Sequence, residues 1–237
     1  MQISAAFLAI FMRIHIGTSG WLYPWNKGNS LDWYVRESGM DAIELNSSFY
    51  RFPYPNQVKS WARAGKSLAW AVKVHRSVTH THMLNESAIE LCDKFLNAMS
   101  PLDKITSWYL IQLPPRFTSK LLPRLNDFLS VFNSRRLAIE FRHASWNDFD
   151  MSKIKTQGAV VTADSPLQSG RLTNLNKQLY LRFHGRTEWY SYNYGKRELA
   201  GMVAMVAESG ARCAFAFFNN DKYMLSNAKE FKKLIMC

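Results

Sequence analysis

Short runs of β-branched and aromatic residues alternate with longer amphipathic segments along most of the chain. The short runs have the length and composition of buried strands, and the amphipathic segments have the period of helices. We predict strands over Ile14–Ile16, Ala42–Leu45, Ala69–Val74, Trp108–Gln112, Leu137–Phe141, Ala159–Ala163, Leu179–Phe183 and Ala214–Phe218. We predict helices near Leu31–Ser38, Asn56–Ala64, Asn85–Met99, Lys120–Phe132, Met151–Lys155, Arg197–Glu208 and Ser226–Ile235. Ser165–Lys177 is predicted to be a loop.

Eight strands that alternate with helices within 237 residues indicate an α/β fold, a TIM-type (β/α)8 barrel in a single domain. An open doubly wound sheet is the alternative. The first strand leads into GTSGW (Gly17–Trp21), which matches neither of the glycine-rich phosphate-binding patterns, so no nucleotide cofactor motif is found. We expect residues 13–237 to form the barrel. Residues 1–12 are expected to be an N-terminal extension, with Met12 as the true start.

The chain is basic, with 30 Lys and Arg against 18 Asp and Glu and a formal net charge of +12. The 47% of hydrophobic residues excludes a disordered chain, and the positive charge favours anionic partners such as nucleic acid or a phosphorylated small molecule. Cys92, Cys213 and Cys237 are far apart and odd in number, which fits a reducing cytoplasm. Because no apolar stretch is long enough to span a bilayer, we expect a cytoplasmic protein without a membrane partner.

In a barrel of this type, functional residues collect at the carboxyl ends of the strands. Every predicted strand end here is polar. Side chains two residues apart lie on the same face of a strand. We therefore expect three pairs to point into the barrel mouth: Glu44 with Asn46, Glu140 with Arg142, and Arg182 with His184.

Carboxylates beside arginine and lysine are the groups that bind an anion and move a proton. We predict four catalytic residues, with His184 as a proton shuttle because a histidine usually titrates near neutral pH. They are Glu44, Glu140, Asp164 and His184. The predicted substrate-binding residues are Thr18, Trp21, Asn46, Tyr50, Lys73, Gln112, Arg142, Arg182, Arg186, Asn219 and Asn220. The alternative is a structural layer of ion pairs that only fills the barrel mouth.

Segments at the same strand ends match a known family in order from Met12 to the C-terminus. The matching segments are Ile16–Trp21 (IGTSGW), Glu44–Arg51 (ELNSSFYR), Ala71–Val74 (AVKV), Gln112–Phe117 (QLPPRF), Ala138–Trp146 (AIEFRHASW), Ala163–Pro166 (ADSP), Leu181–Arg186 (LRFHGR) and Phe217–Asn220 (FFNN). The chain resembles domain-of-unknown-function family 72, the YecE-like proteins. This resemblance implies a TIM-type barrel with a pocket at the strand ends, and it implies no particular reaction.

The residues favour an enzyme, a hydrolase or an isomerase, that acts on a phosphate ester, a phosphosugar or nucleic acid. One alternative is a metal-dependent hydrolase resembling barrel endonucleases, with ligands among the carboxylates, His143 and His184. The neighbouring cations would repel a metal ion, so no metal ligand is assigned and a catalytic metal is not favoured. The second alternative is a non-catalytic nucleic-acid binder that stacks bases on loop aromatics. The oligomeric state is left open.

Overall fold

The eight predicted strands form a closed parallel barrel in the computed structural model of the chain, which describes residues 12–168 and 172–236. The strands are β1 (Arg13–Ser19), β2 (Ala42–Leu45), β3 (Ala69–Lys73), β4 (Thr106–Gln112), β5 (Leu137–Glu140), β6 (Ala159–Asp164), β7 (Gln178–Phe183) and β8 (Cys213–Phe218). Each strand pairs with the next in chain order, and β1 closes the barrel by pairing with β8. The predicted (β/α)8 architecture is confirmed.

Helices cover the outside of the barrel. They are α1 (Leu31–Glu37), α2 (Ser47–Tyr50), α3 (Pro55–Ala64), α4 (Glu86–Met99), α5 (Leu122–Val131), α6 (Lys196–Glu208) and α7 (Met224–Met236). The Asn85 side chain caps α4 by accepting a hydrogen bond from the Ala88 backbone N–H, which satisfies one donor of the first turn. The helix predicted over Met151–Lys155 is wrong, because only the single 3₁₀ turn Met151–Lys153 forms there. The one-turn helix α2 was not predicted.

Small and large side chains together fill the barrel interior. Alanines face inward from β2, β3, β5 and β6, and bulky aromatic side chains face inward from β4, β7 and β8. The aromatic residues are Trp108, Tyr180, Phe215 and Phe217. Trp108 meets Tyr180 edge to face, with ring centroids 5.6 Å apart. This packed apolar layer fills the barrel below the polar strand ends.

β1 and β2 approach each other closely at Gly17, where a Cβ atom would lie 2.2 Å from the carbonyl oxygen of Ala42. Only glycine fits this approach without moving the backbone. Between β6 and β7 the described residues form no helix, as the loop prediction for this segment expected. Residues 1–11, 169–171 and 237 lie outside the described residues, and with them most of the predicted extension. No described helix has the length and apolarity that crossing a membrane requires.

Candidate active site at the barrel mouth

The centre of the barrel mouth is a buried ion-pair network around Arg182. Its guanidinium joins two carboxylates, with Nη2 2.6 Å from Glu44 Oε1 and Nη1 bonded to Glu140 Oε2. All three side chains are fully buried. Removing such charges from water is costly unless each is paired, and the two-sided contact of Arg182 pairs all three charges, while its Nε is buried without a partner among the described residues. We call Glu44, Glu140, Arg142, Arg182 and His184 the mouth cluster.

Two hydroxyl groups complete the contacts of Glu44. Ser19 Oγ donates to Oε1 and Tyr180 OH donates to Oε2, both at 2.6 Å. Neither residue was predicted, although alternation would have found both, because Ser19 shares the inward face of Gly17 and Tyr180 that of Arg182. The predicted Thr18 lies on the opposite face of β1, where its hydroxyl donates to the carbonyl of Gly20 at 2.7 Å.

Glu140 also receives Arg142 and His184. Arg142 Nη2 lies 2.7 Å and His184 Nε2 lies 3.1 Å from Glu140 Oε1. Burial by itself would raise the pKa of Glu140, but the two guanidinium groups, helped by the histidine hydrogen bond, outweigh burial and hold that pKa well below its usual range. Glu140 is therefore ionised at neutral pH and is an anchor for cations more than a proton donor.

His184 is fully buried and faces both Arg142 and Asn219. Burial, reinforced by the charges of Arg142 and Arg182, lowers its pKa to about 3. The Asn219 amide nitrogen lies 3.2 Å from Nδ1, and Nε2 lies 3.1 Å from both Glu140 Oε1 and Arg142 Nη2. A pKa this low keeps the imidazole neutral at pH 7 and does not fit titration near neutral pH, so the proton-shuttle role of His184 stays a prediction.

Lys73 projects from the end of β3 into the same mouth. Its Nζ lies 4.1 Å from the centroid of the Phe49 ring, and no hydrogen bond or ion pair joins it to any described residue. Burial, together with the positive charge of Arg182, lowers its pKa to about 7. The lysine keeps 7% of its surface exposed. Among the four predicted cations, it is the one that no described carboxylate pairs.

Asp164 and Arg186 do not join the mouth cluster. Asp164 ends β6 on the outward-facing side and pairs with Arg186 Nε at 3.0 Å, and Arg186 Nη1 reaches Glu198 at the start of α6 at 3.1 Å. Tyr192 OH donates to the same Glu198 oxygen at 2.7 Å. Burial raises the pKa of Asp164, which the Arg186 contact only partly offsets. The three predicted carboxylates therefore belong to two separate clusters.

Two further predicted residues border the mouth cluster. Gln112 Oε1 accepts a long hydrogen bond of 3.5 Å from Arg142 Nη2. Asn46 lies two residues beyond Glu44, and its Oδ1 is buried without a partner among the described residues. A buried polar atom without a partner is costly, so this oxygen is available to a ligand donor.

Among the described residues, no hydrogen bond or ion pair joins three other predicted residues to the mouth cluster. Trp21 packs against Trp61 and Trp70 in the layer between strands and helices. Tyr50 is 69% exposed. The Asn220 side chain donates to the Tyr192 carbonyl, which ties the loop after β7 to the end of β8.

The loop after β7 covers the mouth cluster with Trp189. The Arg142 guanidinium lies 4.6 Å from the Trp189 ring centroid, and the His184 ring lies 5.5 Å from it. The loop begins at Gly185, whose positive φ of 106° and lack of a Cβ permit the tight turn. A separate cavity of about 480 Å³ lies outside the barrel, between the β5–β6 loop and the β6–β7 segment, and is lined by Trp146, Thr162 and Leu172.

Metal-binding groups are not clustered at the mouth. Within residues 12–168 and 172–236, no three His, Cys, Asp or Glu side chains are arranged to hold a metal ion. Glu44 and Glu140, the central ligands of the metal alternative, are engaged by Arg182. His143 lies outside the mouth, where its ring accepts the Ser145 backbone N–H and caps a 3₁₀ turn.

Curated relatives of the chain are the UPF0759 proteins YecE of Escherichia coli K12 and O157:H7. Each is 30% identical over 139 residues, which cover 55% of this chain and 48% of the relative. The aligned stretch thus spans about half the length of these relatives.

Solved structures with the same fold include a DUF72 family protein from Enterococcus faecalis V583, with a TM-score of 0.79, 20% identity, and coverage of 94% of this chain and 96% of that one. A D-tagatose 3-epimerase-like protein has a TM-score of 0.50 at 12% identity, with 95% and 97% coverage, a similarity of fold alone. The model of the family described as "Protein of unknown function DUF72" matches residues 15–236. The chain therefore belongs to the DUF72 family.

Proposed function

We propose that the chain is an enzyme that binds a small phosphate-bearing ligand at the barrel mouth. The observation that carries this proposal is the charge balance. The carboxylates of Glu44 and Glu140 cancel the guanidinium groups of Arg142 and Arg182, and Lys73, which no described carboxylate pairs, adds a positive charge in its protonated form. A recessed pocket with excess positive charge attracts anions, since low-dielectric walls focus its field.

Arg142 is the residue that we assign to the phosphate. Its Nε is buried and has no hydrogen-bond partner among the described residues, while Nη2 is held by Glu140. A phosphate oxygen would satisfy the free donor through a charge-assisted hydrogen bond. Glu140 then acts by fixing the orientation of the guanidinium, which reduces the entropy lost on binding.

A small ligand fits the mouth better than a duplex does. The Arg142 side chain is only 9% exposed and lies under Trp189. The rigid backbone of double-stranded nucleic acid would not reach a guanidinium at this depth, whereas a phosphate ester or phosphosugar would. The candidate reactions are hydrolysis and isomerisation. Both require a proton transfer, for which we propose Glu44, whose charge acts on Lys73.

Calorimetric titration with inorganic phosphate and with glycerol 3-phosphate tests the proposal. Arg142→Gln should weaken binding about tenfold or more, equivalent to about 1.4 kcal/mol. The matched control is Arg63→Gln, because Arg63 is exposed in the last turn of α3, at the end of the barrel away from the mouth, and should leave the affinity unchanged.

Equal affinity in Arg142→Gln and the wild type would contradict the assignment of Arg142. A DNA oligonucleotide whose binding falls steeply with salt but is unaffected by Arg142→Gln would instead support a nucleic-acid binder.

A further inference from the structure

Lys73 differs from the other cations of the mouth in having no anionic partner. Its Nζ rests on the face of Phe49, and the nearest carboxylates, Glu44 and Glu140, are occupied by Arg182. The residue lies at the end of β3 and is almost fully buried, with 7% of its surface exposed. A structural buried lysine is normally paired, because an unpaired buried charge is costly. This one is placed where a ligand would meet it.

The surroundings of Lys73 favour the neutral amine. Burial and the neighbouring guanidinium groups lower its pKa to about 7, so near neutral pH about half of the molecules carry a free lone pair on Nζ. A desolvated lysine beside other cations is the usual form of an amine nucleophile. An ammonium kept only to attract phosphate would gain from a carboxylate neighbour that holds it protonated, and Lys73 has none in contact.

We propose that Lys73 is a catalytic nucleophile that forms an imine with the carbonyl group of a phosphorylated aldehyde or ketone. The inference rests on the proposed function, since Arg142 would bind the phosphate group while Lys73 attacks the carbonyl carbon of the same ligand. β3 and β5 are separated by one strand in the barrel, so both side chains reach the same mouth.

The covalent step needs no oxidant or reductant. The Nζ lone pair forms a bond to the carbonyl carbon, and the carbon–oxygen π electrons move to oxygen. A proton passes from nitrogen to that oxygen through solvent, giving a carbinolamine. A second proton from solvent then lets the oxygen leave as water, and the nitrogen lone pair forms the C=N bond of a protonated imine. The cationic imine withdraws electrons from the adjacent carbon, which is the activation that isomerisation of a phosphosugar requires.

Reductive trapping tests the proposal on the full chain. The protein is incubated at pH 7 with glyceraldehyde 3-phosphate and sodium cyanoborohydride, and the modified lysines are located by peptide mass spectrometry. We expect one reduced triose phosphate adduct on Lys73, formed at least tenfold faster than the adduct of unphosphorylated glyceraldehyde. Lys94, which is 61% exposed on α4, is the internal control and should react slowly. Lys73→Arg keeps the charge and should abolish the adduct.

A smaller reagent separates amine reactivity from ligand recognition. Limiting formaldehyde with cyanoborohydride should methylate Lys73 before Lys94, with a midpoint near pH 7. Failure of both reagents to modify Lys73 ahead of Lys94 would overturn the proposal. Methylation without the triose phosphate adduct would overturn the assigned substrate class. In either case, calorimetric binding of inorganic phosphate that is weakened by Arg142→Gln would show that the proposed function survives. If the wild type does not bind phosphate, both the proposed function and the role of Lys73 are overturned.

Discussion

Replacing Lys73 by methionine should stabilise the protein at neutral pH. The pKa of Lys73 is about 7 in the folded chain and ordinarily 10.5. As the pH falls below 10.5, the unfolded chain takes up a proton that the folded chain does not, so lysine progressively destabilises the fold until the pH passes below 7. A difference of about 3.5 pH units is worth about 5 kcal/mol in full. At pH 7 it amounts to about 4 kcal/mol and at pH 9 to about 2 kcal/mol.

Urea denaturation of the wild type and Lys73→Met at pH 7 and pH 9 measures this effect. The gain in unfolding free energy should be about 2 kcal/mol larger at pH 7 than at pH 9. Methionine keeps most of the aliphatic packing against Phe49, so packing cancels in the comparison between the two pH values. Lys94→Met is the control, and its exposed side chain should give little change at either pH. A gain for Lys73→Met that is independent of pH would refute the reasoning.

Two further substitutions test the buried network and the strand packing. Arg182→Met should cost about 3–5 kcal/mol in unfolding free energy, because it leaves the buried Glu44 carboxylate without a cation and leaves Glu140 with Arg142 alone. The deficit should shrink as the pH is lowered and the unpaired carboxylate takes up a proton. Arg136→Met, which breaks a half-exposed pair, should cost less than about 1 kcal/mol. Gly17→Ala should lower the stability by at least about 3 kcal/mol, since its methyl group would meet the Ala42 carbonyl at 2.2 Å. Gly201→Ala in α6 has open space and should be neutral or slightly stabilising.

Equal costs for the paired arginine variants, or for the paired glycine variants, would contradict these accounts. Thermal melting monitored by circular dichroism would compare each pair under the same conditions. For the arginine pair, a deficit that does not change between pH 7 and pH 5 would show that the carboxylates are not left charged and buried.

The strands were predictable because most of them have an apolar centre rich in β-branched and aromatic residues, as a strand covered on both faces requires. The same alternation placed Glu140, Arg142, Arg182 and His184 on the inward face, and the structure brings these side chains into contact. The short helix near Met151 was not predictable in the same way, since so few residues carry a helical period only weakly.

The separation of Asp164 from the mouth had a signal in the sequence. Ala159 and Val161 face inward on β6, so alternation directs Asp164 to the outer side, where it meets Arg186. Arg186 itself follows the turn at Gly185, which reverses the chain and breaks the alternation. Side chains alternate between the two faces only as far as the strand extends. Beyond its last residue, the geometry of the turn decides where a side chain points.

The unpaired state of Lys73 could not be read from the sequence. Four cations and three carboxylates at the strand ends allow many pairings. The observed pairing arises because the Arg182 guanidinium, from β7, lies between the carboxylates of Glu44 on β2 and Glu140 on β5. Once Arg182 has taken both inner carboxylates, Lys73 has only the Phe49 ring. Its chemistry is thus a consequence of the network around it.

The net charge of +12 takes on a more specific meaning beside this network. The paired groups of the mouth cluster contribute no net charge, so the excess lies outside it, on helices and loops. A diffuse positive surface raises the rate at which anions encounter the protein and is screened by salt, whereas a recessed group is screened much less. Binding of an anion at the mouth would then depend on two groups without a hydrogen-bond partner among the described residues, the Arg142 Nε donor and the Lys73 amine. Added salt should therefore slow the association of an anion more than it speeds the dissociation. An anion bound only at the surface would not show this difference between the two rates.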